Sequence, residues 1–182
     1  MTIRFILGGA RSGKSTYAQE LAARIGRNVL YVATAEALDT EMLSRIEAHR
    51  KSRPAHWRTL EFRTDVAEAL ADHIDDAEVV IVDCITLMIS NMMGKDDAEI
   101  ETWQERVIAE IEQLITVMKS SPAHFITISN EVGLGLVPAY PLGRLFRDIM
   151  GIANQMLARS ADEVNFMVAG IPMVLKKRDN PE

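Results

Sequence analysis

The stretch "GGARSGKS", residues 8–15, satisfies the pattern G-x-x-x-x-G-K-[ST] through Gly8, Gly13, Lys14 and Ser15. Such a loop turns its backbone N–H groups inward, so that Gly8, Gly9, Ala10, Arg11, Ser12 and Gly13 cradle phosphate oxygens at the positive end of the following helix. Lys14 is expected on the β- and γ-phosphates as a catalytic cation, and Ser15 on Mg²⁺. The flanks supply the context that the motif requires. "IRFIL" (3–7) is a short apolar run, and beyond the loop Tyr17, Leu21 and Ile25 recur every four residues up to Gly26. This predicts a strand, a phosphate-binding loop and a capped helix.

Working outward, strand-like and helix-like segments alternate. "VLYVAT" (29–34), the edge candidate "RTLEF" (58–62), "EVVIVD" (78–83), "HFITIS" (124–129) and "VNFMVAG" (164–170) read as strands. Helices are predicted after Asp39, around Val66, Leu70 and Ile74, over 97–119 and over about 142–160. In the third of these, Ile100, Trp103, Val107, Ile111, Leu114 and Met118 share one face. "PMVLK" (172–176) is read as a hairpin partner for the preceding strand, and the tail "KKRDNPE" as frayed. The expectation is an α/β fold of the P-loop NTPase type, three layers α/β/α around a mainly parallel sheet with an antiparallel edge strand.

Composition narrows the function. At 182 residues, 48% apolar and 25% charged, the chain is expected to form one nucleotide-binding domain over 1–182, with an inserted helix at 39–54. A net charge of −6 argues against nucleic acid and anionic membranes as partners, so an anionic ligand needs a local basic site. Cys84 is the single cysteine, which excludes an intramolecular disulfide and a multi-cysteine metal site. No signal peptide or membrane span is read, and a cytoplasmic setting is expected.

Asp83 ends the strand "EVVIVD", where a P-loop protein places a carboxylate toward Mg²⁺. Capping of the next helix is a second role open to it. Cys84 reads as a small buried hydrophobe. In "RIEAHRKSRPAHW" (45–57), Asp39 or Thr40 can open a helix that Pro54 closes. Arg45, His49 and Arg53 then fall at i, i+4 and i+8 on one stripe. Guanidiniums bind phosphates, and a neutral imidazole nitrogen can attack phosphorus to give a covalent phosphoramidate. Spacing alone favours the plainer reading, a solvated basic helix face.

In order along the chain, "GGARSGKS", "YVATA" (31–35), "RIEAHRKSRPAHWRTLE" (45–61), "VDCITLMISNM" (82–92) and "ISNEVGLGLVP" (128–138) resemble the bifunctional adenosylcobinamide kinase / adenosylcobinamide-phosphate guanylyltransferases of cobalamin biosynthesis. The resemblance implies two activities. One phosphorylates the aminopropanol hydroxyl of adenosylcobinamide with ATP or GTP. The other moves GMP from GTP to a histidine and then to adenosylcobinamide phosphate, giving adenosylcobinamide-GDP. The family's R-I-x-x-H pattern falls on Arg45, Ile46 and His49, so His49 inherits the guanylylated role. Position 48, histidine in some relatives, is alanine here, and His56 lies beyond Pro54 and reads as structural. Ala33, Thr34 and Ala35, together with Arg50, Lys51, Ser52 and Arg53, are implied contacts of the guanine nucleotide, with Glu61 near the base or ribose. For Asn130 and Glu131, at a strand's carboxyl end, a role toward substrate or Mg²⁺ and a simple turn remain equally open. The resemblance also suggests a homo-oligomer, specifically a trimer. A single-activity kinase with a basic lid is the competing reading; a nucleotide switch is disfavoured because no N-K-x-D motif is present.

Overall fold

The phosphate loop joins β1 (Ile3–Gly8) to α1 (Lys14–Ile25) in a computed structural model that describes residues 1–37, 39–94 and 100–177. Then follow β2 (Val29–Ala33), α2 (Thr40–Ser52), β3 (Arg58–Glu61), α3 (Val66–His73), β4 (Val79–Asp83) and α4 (Ile85–Met93). The chain continues with α5 (Ile100–Ser120), β5 (His124–Asn130), α6 (Pro141–Ser160), β6 (Glu163–Val168) and β7 (Ile171–Lys176). Parts of the sequence reading that fall on 97–99, on the side chains of Arg45 and Ile100, and on the tail after Lys177 lie outside the described residues.

The strands form one sheet in the order β3-β2-β4-β5-β1-β6-β7, parallel throughout except for the β6–β7 hairpin. The antiparallel edge expected at 172–176 is therefore present. Its turn, Ala169 and Gly170, has positive φ at both residues, which suits the twist of a tight hairpin.

Side-chain alternation splits the core in two. Phe5, Leu7, Leu30, Val32, Val80, Val82 and Phe125 point to one face and are covered by α3, α4, α5 and α6. Ile6, Tyr31, Val79, Ile81, Ile126 and Ile128 point to the other, beneath α1. The apolar stripe of α5 is buried through Trp103, Val107, Ile111, Leu114 and Met118, so its apolar face belongs to the core and marks no interface. On α1 the buried seam is Ala18 and Ala22. Tyr17, Leu21 and Ile25, the periodic residues of the sequence reading, only flank it. Small residues let the helix backbone approach the sheet, and the larger ones fill the sides.

One buried acid serves the fold. Glu110 on α5 accepts a hydrogen bond from the Ala67 N–H at 3.0 Å, satisfying a first-turn donor of α3 that its N-cap, Asp65, leaves uncapped. Burial raises the Glu110 pKa against the opposing backbone hydrogen bonds. A folded-state value above the unfolded one means a contribution fully present at acid pH and lost as pH rises through the folded value. Glu110→Gln keeps an acceptor without the charge, so its melting temperature relative to wild type should climb between pH 4 and pH 8. Glu110→Ala should cost about 1–3 kcal/mol in denaturant unfolding, because it orphans the Ala67 N–H.

No described helix is long and apolar enough to cross a membrane.

Candidate active site

Parallel register sets the site. Gly8 pairs with Asn130, Ala33 with both Asp83 and Glu61, and these strand ends share the carboxyl edge of the sheet, the edge where α/β proteins bind ligands. Gly8 and Gly13 hold positive φ, and Gly13 begins α1 in the left-handed region. A Cβ at Gly8 would meet the Met167 carbonyl oxygen at 2.6 Å. The loop is braced from the far side, where the Gly170 N–H donates to the Ser12 carbonyl at 3.0 Å. The hairpin turn thus supports the phosphate loop.

Ala10 to Thr16 line a cleft of 620 Å³, with Ala48, His49, Asp83, Cys84 and Asn130 on its other walls. Lys14 Nζ donates to the Gly8 and Gly9 carbonyls at 3.0 and 2.6 Å. Burial holds its ammonium below the usual lysine range, while the charge of neighbouring Asp83 acts in the opposite direction. Ser12 Oγ is buried without a hydrogen-bond partner, a donor of the kind that a phosphate oxygen satisfies. Gly8 and Gly9, expected among the phosphate contacts, do not line the cleft; their carbonyls hold Lys14 instead.

A second cavity of 240 Å³ adjoins the first and shares His49, Asp83, Cys84 and Asn130 with it. Ala33, Ala35, Met42, Ile46, Arg53, Glu61 and Leu87 complete its lining. Asp39 caps α2, its side chain accepting from the Met42 N–H at 2.7 Å, and so decides between Asp39 and Thr40. His49 is exposed in the last turn of α2 and faces both cavities.

The i, i+4, i+8 stripe needs one correction. Helix α2 ends at Ser52, and Arg53 is its C-cap with extended backbone, φ −80° and ψ 142°. The residue before a proline is pushed out of the helical region, so Pro54 removes Arg53 from the stripe. Its guanidinium instead lies 3.7 Å from the centroid of the Tyr31 ring, and its Nε is buried without a partner. Of the remaining basic segment, Arg50 pairs with Glu61 at 2.5 Å, Ser52 Oγ donates to the His49 carbonyl, and Lys51 is exposed. None of these three lines either cavity.

Thr34 is also turned away from both cavities. It is fully buried, its hydroxyl bonded to both the carbonyl and the N–H of Cys84, where it fastens the β2 and β4 ends together. Asp83 does not cap α4, whose N-cap is Cys84. Its carboxylate accepts from the Tyr31 hydroxyl and lines both cavities. Burial, reinforced by the Asp83 charge, pushes the Cys84 thiol up to about 12, leaving it a neutral apolar filler. Asn130 lines both cavities, whereas Glu131 turns back and accepts from the Gly133 N–H at 2.5 Å. His56 is exposed and lines neither.

Sequence reasoning passed over Tyr31. Within an apolar strand an aromatic reads as core, and only the parallel register with β4 reveals that its hydroxyl reaches a carboxylate.

Comparison with solved structures finds a RadB recombinase crystal structure at TM-score 0.55 and 15% identity, covering 100% of this chain and 83% of that one. That likeness establishes the fold alone. The Escherichia coli bifunctional adenosylcobalamin biosynthesis protein CobU is 41% identical over 178 residues, covering 94% of this chain and 98% of its own. Its Pseudomonas aeruginosa counterpart CobP is 44% identical over 171 residues, 94% and 95% of the two chains. A family profile described as cobinamide kinase / cobinamide phosphate guanyltransferase matches residues 4–175. With nearly the whole chain matched, and the phosphate loop and His49 facing one cleft, this protein belongs to the cobinamide kinase / cobinamide phosphate guanyltransferase family.

Proposed function

We propose that this chain phosphorylates adenosylcobinamide with ATP or GTP and then transfers GMP from GTP, through His49, to adenosylcobinamide phosphate. The observation that carries the reading is the shared wall between the two cavities. A nucleoside triphosphate in the phosphate loop and a guanine nucleotide beside His49 would both border Asp83 and Asn130, which line both cavities.

In the kinase step the substrate hydroxyl oxygen bonds to the γ-phosphorus as the bond to the β–γ bridging oxygen breaks, the nucleoside diphosphate leaves, and the hydroxyl proton passes to water. The loop N–H groups, Lys14 and Ser12 hold the phosphates in line for that displacement. In the transferase step a ring nitrogen of His49 bonds to the α-phosphorus of GTP and pyrophosphate leaves. A phosphate oxygen of adenosylcobinamide phosphate then attacks the same phosphorus, and the P–N bond breaks.

Ser15 and Asp83, which both line the cleft, would hold Mg²⁺. The donor set fits, because a serine hydroxyl and a carboxylate are the hard oxygen donors that Mg²⁺ takes. Mg²⁺ is commonly held by one or two protein oxygens together with phosphates and water. When bound, it neutralises phosphate charge.

Ala33, Ala35, Arg53 and Glu61 would contact the guanine nucleotide in the smaller cavity, and the buried, unpartnered Arg53 Nε supports this assignment. Arg50, Lys51 and Ser52 would act at longer range, and Thr34 through the backbone it fastens. Arg53→Ala should therefore raise the KM for GTP about tenfold or more, while exposed Lys51→Ala stays within about twofold. Equal effects would mean that only diffuse charge matters.

A cytoplasmic homotrimer is the proposed setting. The exposed apolar residues Ile171, Met173, Val174 and Leu175 on β7, with Leu134, Leu136 and Val137, offer contact surface for it.

Incubation with α-labelled GTP and peptide mapping tests the whole reading. Label on His49 supports it. Corrinoid phosphorylation without any protein label would support a single-activity kinase with a basic lid.

A further inference from the structure

Tyr31 is fully buried, yet it carries a hydroxyl that the core does not require. In the β2–β4 register Tyr31 pairs with Ile81, and Ala33, two residues on, pairs with Asp83. Tyr31 and Asp83 therefore sit diagonally on one sheet face, within reach of an aromatic side chain. The Tyr31 hydroxyl donates to Asp83 Oδ2. The face of the same ring carries the Arg53 guanidinium at 3.7 Å, and Arg53 is the residue on which the histidine helix ends.

We propose that Tyr31 is a positioning residue that ties the carboxylate shared by the two cavities to the end of the helix that carries His49. The proposal rests on the reading of Asp83 and His49 above and adds a residue to it. With Oδ2 held, the carboxylate has one orientation toward the cleft, and groups that orient a ligating side chain in this way strongly affect metal affinity. With Arg53 seated on the ring in a desolvated contact, the last turn of α2 is anchored over the sheet and His49 is held at the mouth of both cavities. One side chain thus serves both chemistries through two different parts, its oxygen and its ring.

The parts separate by substitution. Tyr31→Phe removes the oxygen and keeps the ring under Arg53. Tyr31→Met removes both and fills similar space with an adaptable chain. The first readout is Mn²⁺ affinity by electron paramagnetic resonance with a non-hydrolysable GTP analogue bound, which involves no turnover. Tyr31→Phe should weaken Mn²⁺ about tenfold with a melting temperature near that of wild type.

Asp83→Asn serves as the reference variant. If it leaves Mn²⁺ affinity unchanged, the metal reading of Asp83 is wrong and the proposal falls with it. If it weakens Mn²⁺ while Tyr31→Phe does not, the proposal alone is overturned. The second readout is the rate at which the GMP adduct forms at saturating Mg²⁺. It should stay within about twofold in Tyr31→Phe and fall about fivefold further in Tyr31→Met. Equal rates in the two variants would overturn the helix half of the proposal. Should Tyr31→Met not fold, Arg53→Gln breaks the same stack from the solvent side. In that background, a further loss of adduct rate from Tyr31→Phe at saturating Mg²⁺ would overturn the division of roles.

Discussion

His49→Asn should accept no label from α-labelled GTP and form no adenosylcobinamide-GDP, while phosphorylation of adenosylcobinamide stays within about tenfold of wild type. Asparagine keeps a polar side chain of similar reach but has no nucleophilic ring nitrogen, so the P–N bond cannot form. The kinase step needs the phosphate loop and alignment of the acceptor, and His49 only borders that cleft from an exposed helix. Folding should be unaffected, since surface substitutions of this kind change stability by about half a kcal/mol or less. Acid-labile adduct measured by mass and corrinoid phosphate measured by chromatography give the two readouts. Label persisting in His49→Asn, mapped to His56 or to a lysine, would reject His49 as the carrier.

Lys14→Ala should lower kinase turnover by about 10² to 10³, the loss typical of removing a positioned charge-stabilising donor from a closed site. Its hydrogen bonds run to the Gly8 and Gly9 carbonyls of its own loop, and it belongs to neither apolar core, so the variant should remain folded. Adduct formation should also fall if the loop's triphosphate site takes part in orienting GTP. Soluble Lys14→Ala with full activity in both steps would remove the loop from the mechanism.

Much of this molecule was legible in the chain. The phosphate loop, the alternation of apolar runs, the parallel sheet and the antiparallel edge at 171–176 follow from local pattern, because each is written in neighbouring residues. So is the helix carrying His49, bounded by Asp39 and Pro54, and the apolar stripe of α5, whose burial the structure decided. The family, too, could be read from motif order. Other features required residues far apart to meet. Arg53 looked like part of a helical stripe until Pro54 turned its backbone and Tyr31 offered it a ring. The Thr34 hydroxyl meets the backbone of Cys84, fifty residues away, only because β2 and β4 pair. Asp83 had two roles open to it, and capping was excluded only when α4 began one residue later. Periodicity records which face a residue presents to its own element. Which partner waits on that face is decided by strand order and register, and these are set by packing of the whole sheet.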